Sequence, residues 1–182
     1  GGIANCRLEG NVAAQSGGGS FDGVLYNCML TGNSASYGGG ASGSMMYNCI
    51  LSGNSAAYEG GGGYYGVFIN SILYYNTAPD GTNYTEGALS FCCATPLAAG
   101  TSNITDNPGF VDYLAGNFRL TSNSPCVNTG TNQAWMVGSY DLDGRPRLSR
   151  RVDRGAYEYV WPEGPLPSEW LVRYYLPADG SV

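Results

Sequence analysis

The chain repeats itself every 21–22 residues through its first half. Cys6, Cys28 and Cys49 recur at spacings of 22 and 21, and Ser71 and Cys93 continue that column at 22 and 22. A second column follows five residues later, at Asn11, Asn33, Asn54 and Asn76. A period in this range marks one supersecondary unit per repeat. Such a unit cannot bury its own apolar face and must stack on its neighbours.

Within each unit the residues alternate and do not follow a helical stripe. Val24, Tyr26, Cys28 and Leu30 lie two apart, so they are expected on one strand face that points inward. Met45, Tyr47, Cys49 and Leu51 form the same face one unit on, followed by Val67, Ile69, Ser71 and Leu73. A constant period stacks equivalent residues at the inter-strand spacing, so five coils predict a rod of about 20–25 Å. Asn tolerates the left-handed backbone of a sharp turn, and stacked amides can form a ladder in which each donates to the next. Gly10, Gly32 and Gly53 let the chain bend before the Asn column. Runs such as Gly17-Gly18-Gly19 and Gly38-Gly39-Gly40 mark a second corner, where backbone approaches closely or φ is positive. A flexible Gly/Ser linker would have no reason to keep Cys and Asn in register.

Leu-x-Gly-Asn-x-Ala followed by Gly-Gly-Gly resembles the repeats of right-handed parallel β-helix proteins of the polymorphic outer membrane protein type. A second match lies further on. It runs through 106–112 (Asp-Asn-Pro-Gly-Phe-Val-Asp), 118–120, 124–130 and 141–158. This part resembles the terminal coils of large secreted or surface-anchored bacterial β-helix proteins. Cys126 and Asn128 stand where that pattern usually has Ala and Asp. The resemblance implies an all-β, right-handed parallel β-helix of the pectin-lyase-like kind, in a secreted or cell-surface, outer-membrane-associated protein. Coils and a C-terminal cap are expected over 1–159. A Pro-rich linker and short helix (169–176) leading to a further segment are expected over 160–182. The chain reads as part of a longer one.

Composition narrows the function. There is no Lys and no His, only 12% of residues are charged, and the net charge is −6. Phosphate contacts need a basic face, so nucleic acid is not an expected partner. No apolar run reaches the ~18–20 residues of a membrane span. The six Cys do not predict disulfides. Stacked thiols with parallel Cα–Cβ vectors miss the Cβ separation and torsion a bridge requires, so buried free thiols are expected. Their spacing does not converge on zinc either.

Chemistry is sparse. A lyase of this fold needs an Arg or Lys base beside clustered acids, and the coil region holds one Arg, Arg7. A hydrolase needs two carboxylates about 5–9.5 Å apart. Glu59 and Asp80 are the pair expected to be neighbours on adjacent coils, and are the candidate catalytic residues if any are. Asp141 and Asp143, in Asp141-Leu142-Asp143-Gly144, have the spacing that begins a calcium loop but lack its remaining ligands. They are the only metal candidates, with no other cofactor expected. Arg145, Arg147, Arg150, Arg151 and Arg154 are expected to pair with Asp141, Asp143, Asp153 and Glu158 in the cap.

Aromatics give the stronger lead. Tyr37 and Tyr58 each lie four residues after the Asn column and should stack. Tyr64 and Tyr65 follow a Gly run, and Tyr74 and Tyr75 precede Asn76. Sugar rings lie well on such faces, so a polysaccharide or cell-surface glycan is the expected partner. The sequence thus points to a structural or adhesive rod that binds glycan, with a polysaccharide lyase or glycoside hydrolase fragment as the alternative.

Overall fold

The computed structural model describes residues 2–148 and 151–161. The expected helix at 169–176 and Arg150 lie outside the described residues. The chain is an all-β parallel solenoid, a β-helix of about four turns. The first sheet stacks Ile3–Ala4, Val24–Tyr26, Met45–Tyr47, Val67–Ile69 and Ala88–Ser90, all parallel. The second stacks Arg7–Glu9, Met29–Thr31, Ile50–Ser52, Ile72–Tyr74 and Cys93–Ala94. A third holds Ser20–Phe21, Ala41–Ser42, Gly63–Tyr64 and Tyr84–Thr85. On the remaining side Ser34–Tyr37 pairs Ser55–Glu59, extended by single bridges at either end.

The corner between the first two sheets corrects the expected inward face. Asn27, Asn48 and Asn70 have φ of 52°, 51° and 53°. A left-handed residue in the middle of an alternating run reverses its phase. Leu25, Met46, Phe68 and Leu89 therefore point into the solenoid before the corner, and Cys28, Leu30, Cys49, Leu51 and Leu73 after it. Val24, Met45 and Val67 instead face outward, with Met45 47% exposed. The left-handed Asn residues are thus not those of the Asn11 column, where the positive φ falls on Gly10, Gly32 and Gly53.

The thiol column also needs a correction. Its members are Cys6, Cys28, Cys49, Ser71 and Cys92, each donating to the carbonyl two residues before it. Cys93 pairs with Ile72 in the next column and faces the other way. The fifth coil is one residue shorter here than a 22-residue spacing assumes. All six Cys are free, and Cys6, in the first coil, is exposed where burial was expected.

Asn11, Asn33, Asn54 and Asn76 form a continuous amide ladder. Each Nδ2 donates to the Oδ1 of the next at 2.9 Å, and each backbone N–H reaches the same oxygen. The second donor of Asn33, Asn54 and Asn76 goes to Leu8, Leu30 and Leu51 carbonyls. This full satisfaction is what permits Asn33 and Asn54 to be wholly buried. The Gly triplets serve the ladder. A Cβ at Gly40 would lie 3.1 Å from Asn54 Nδ2, and one at Gly62 2.7 Å from Asn76 Nδ2. The next member of that Gly column is Asn83, whose side chain terminates the ladder by accepting from Asn76 and donating to Thr95.

The C-terminal third packs against the outside of the second sheet. Met29, Ile50, Ile72 and Cys93 are covered by Phe118, Leu120, Cys126, Val127, Ala156 and Tyr157. That sheet is buried on both faces, which accounts for the adjacent apolar pairs Met29-Leu30, Ile50-Leu51 and Ile72-Leu73. Burying each outer side chain contributes about 1.5–3 kcal/mol.

Candidate functional site

Tyr37, Tyr58, Tyr64 and Tyr65 come together beside the Gly corner. Tyr37 sits 5.3 Å, centroid to centroid, from both Tyr58 and Tyr64. Tyr65 stands edge-on to Tyr64 at 4.7 Å. The contact between Tyr37 and Tyr58 is not the in-register stack expected from their shared offset. A bulge between Ala56 and Glu59 makes Glu59, and not Tyr58, the strand partner of Tyr37. The rings meet at a tilt of 36° as a result. Tyr58 and Tyr65 remain 57% and 60% exposed, which leaves ring faces open to solvent.

Tyr74 and Tyr75 do not join this cluster. Tyr75 stacks on Tyr113 at 4.0 Å and accepts from Asn107, and Tyr74 donates to the Thr105 carbonyl. Both anchor the segment that leads into the antiparallel pair Phe110–Asp112 and Asn117–Leu120. Their ring faces serve the protein's own packing.

Glu59 and Asp80 are backbone neighbours on adjacent coils, linked by a parallel bridge. Among the described residues neither is ion-paired. Partial burial raises the Tyr64 phenol above its ordinary value, and Glu59 and Glu86 add to the rise. Strand pairing puts both acids beside the cluster: Glu59 is the partner of Tyr37, and Glu86 follows Thr85, the partner of Tyr64. The open tyrosine cluster has a negative rim.

Comparison of the chain with protein-family models, with curated proteins and with solved structures gives no significant match in any of the three.

The cap keeps part of the expected pairing, with Arg145 3.8 Å from Asp143 and Arg147 on Glu158, and departs from it elsewhere. Arg119 clasps Asp143 with two bonds at 2.7 and 2.6 Å, and Arg147 pairs with Glu158 while fully buried. Among the described residues Arg154 pairs with no acid. It donates to the Cys92 and Thr129 carbonyls and to Thr129 Oγ1. Arg151 likewise bonds the Gly130 carbonyl. Asp141 accepts three backbone N–H groups, from Asp143, Arg145 and Glu158, and Asp153 accepts two, from Asn128 and Tyr159. The oxygens of Asp141 and Asp143 are thus turned to the cap itself. Among the described residues no cluster of three metal-ligating side chains occurs.

A further aromatic group lies on the outer face of the first sheet. Tyr26 and Tyr47 stack at 5.0 Å, and Trp135 stands edge-on to Tyr26 at 4.8 Å. The Tyr column is visible in the repeat, but Trp135 lies 109 residues beyond Tyr26 and carries no periodic signal.

Proposed function

We propose that this chain is a non-catalytic β-helix segment of a secreted or cell-surface protein, a rod that adheres to an uncharged glycan. The single observation that supports this reading is the solvent-facing cluster of Tyr37, Tyr58, Tyr64 and Tyr65. Four contiguous rings offer flat apolar faces and phenol hydroxyls, the combination that suits pyranose rings. The negative rim of Glu59 and Glu86 favours a neutral or amino sugar over a uronate. Resemblance of the repeats to surface β-helix proteins is the ground for the location.

The test is calorimetric titration with neutral hexasaccharides (cello-, manno- and chito-oligomers) against polygalacturonate. Binding of a neutral oligomer is expected, weakened at least tenfold in a Tyr58→Ala/Tyr65→Ala variant. A preference for polygalacturonate, or affinity indifferent to that variant, would refute the reading.

The adjacency of Glu59 and Asp80 favours the alternative of a glycoside-cleaving fragment. New reducing ends or unsaturated uronate, formed by the chain and lost in Glu59→Gln, would establish it in place of the adhesive role.

A further inference from the structure

The outward column of the first sheet runs Ala4, Tyr26, Tyr47, Ile69. The Tyr26 and Tyr47 rings lie 5.0 Å apart and only 11° from parallel. That is the spacing of neighbouring strands, so one more aromatic residue in the column would place a third ring on the stack. The first coil supplies Ala4 at that position. Among the described residues the stack therefore stops at Tyr26, with space above Ala4 where another ring would lie.

The cap walls this space. Trp135, on the 3-10 turn Ala134–Met136, meets Tyr26 with its plane 61° away. Tyr140 closes another side and is 53% exposed. The resulting cleft has a volume of about 350 Å³, with Ala4, Asn5, Tyr26, Trp135, Ser139 and Tyr140 among its lining. This is at the small end of the ~300–1,000 Å³ range of ligand sites and suits a single ring better than a chain. Among the described residues no charged side chain lines it.

The rim is polar in one telling way. Asn5 is the first-coil member of the left-handed Asn column, with φ 54°. The later members donate their amides to the cap: Asn27 to the Tyr140 carbonyl, Asn48 to Asp153 and Asn70 to Thr131. Asn5 shares the cleft with Trp135, Ser139 and Tyr140 of the cap, but among the described residues no cap group bonds its side-chain amide, which is exposed at the cleft. Ser139 donates its hydroxyl to the Met136 carbonyl and keeps an acceptor free at the cleft. Two aromatic planes set steeply to each other, beside an unengaged amide, match the C–H face and the hydroxyl edge of a sugar.

The geometry points to a second carbohydrate site: one neutral pyranose unit seated on Tyr26 against Trp135, in the place of the missing third ring. The inference deepens the glycan reading above but uses residues separate from the tyrosine cluster.

The test is a nitrogen-15 NMR titration of the whole chain, following the Trp135 indole N–H and the Asn5 side-chain amide. The probes are the methyl β-glycosides of glucose, galactose and N-acetylglucosamine, with p-cresol as the aromatic comparison. At least one glycoside is expected to shift both signals saturably, with millimolar affinity. Ala4→Tyr supplies the third ring and should weaken that binding by at least about tenfold, a factor equivalent to 1.4 kcal/mol. Circular dichroism should show the β-helix retained in that variant. Trp135→Ala should weaken binding likewise, and Tyr58→Ala/Tyr65→Ala should leave these shifts unchanged. The last comparison separates failure at this cleft from failure at the tyrosine cluster. The proposal is overturned if no glycoside gives saturable shifts, if the shifts survive both Ala4→Tyr and Trp135→Ala, or if only p-cresol binds.

Discussion

The Asn70 amide and the Thr131 peptide bond one another in both directions. Asn70 Oδ1 accepts the Thr131 N–H at 2.7 Å, and Asn70 Nδ2 donates to the Thr131 carbonyl at 2.9 Å. The same left-handed residue turns the solenoid corner, accepts the Gly155 N–H on its own carbonyl, and reaches Asn48 Oδ1. One buried side chain thus couples coil geometry to cap docking.

Asn70→Ala removes the three side-chain bonds and leaves a left-handed residue whose Cβ is no longer offset by an amide that bonds locally. The expected loss is about 2–3 kcal/mol, chiefly from the buried groups of Thr131 and Asn48 left without their partner. Asn70→Gly relieves the backbone and should lose less. Urea denaturation of the two variants separates the contributions. Equal destabilisation would show that φ plays no part.

The amide ladder should be strongest in its middle. Asn54 has neighbours above and below and is fully buried, whereas Asn11 is exposed and bonds on one side only. Asn54→Ala is expected to cost roughly 3–5 kcal/mol, in the range of a broken buried network, and Asn11→Ala under about 1. Similar midpoints in urea would contradict the ladder.

Glycines that look alike in sequence should differ sharply. A Cβ at Gly39 would fall 2.2 Å from the Ser55 carbonyl oxygen, an approach that only backbone movement can relieve. Gly39→Ala is expected to abolish folding. Gly53 has φ +67° but nothing within 4 Å of an added Cβ. Gly53→Ala should therefore cost only the left-handed strain, about 1–2 kcal/mol. Soluble yield and thermal midpoints of the pair are the measurement, and matching behaviour would count against close coil contact.

Stability should fall as pH rises from about 4 to 8. Burial first, then Asp153, pushes the Glu158 carboxyl up to about 8 despite the opposing pull of Arg147. Burial pushes Asp153 up to about 6. Both acids hold protons more tightly in the folded chain than in the unfolded one. Folding therefore loses stability as pH rises through the window between the unfolded and folded values, and the loss is complete above them. Each group contributes at most about 1.4 kcal/mol per pH unit. Thermal midpoints should be lower at pH 9 than at pH 6, and Glu158→Gln should flatten the difference. A midpoint that rises over this range would contradict the assignment.

Thiol reactivity should divide the cysteines. Cys6 is exposed, while burial raises the Cys92 thiol to about 12. One fast-reacting thiol is expected in the native chain and six after denaturation without reductant. Fewer than five in the denatured chain would mean that disulfides form.

Much of this architecture is legible in the residues because it is local and periodic. A 21–22-residue period forces like over like, so the thiol column, the Asn ladder and the close-packed Gly corners can be read from spacing alone. The all-β solenoid follows from the same arithmetic, and so does the proximity of Tyr37 and Tyr58, although a bulge tilts their contact out of register. Other features needed the folded chain. A sign change of φ at Asn27, Asn48 and Asn70 reverses which side chains point inward, and composition does not display a dihedral angle. A one-residue shortening moved the column from Cys93 to Cys92, which only hydrogen-bond register reveals. The docking of the cap on Met29, Ile50 and Ile72, the use of Tyr74 and Tyr75 as anchors, and the cleft between Tyr26 and Trp135 all join residues far apart in sequence. Such contacts leave no period behind. They depend on where an irregular segment finds apolar area and unpaired amides, and packing in three dimensions settles that.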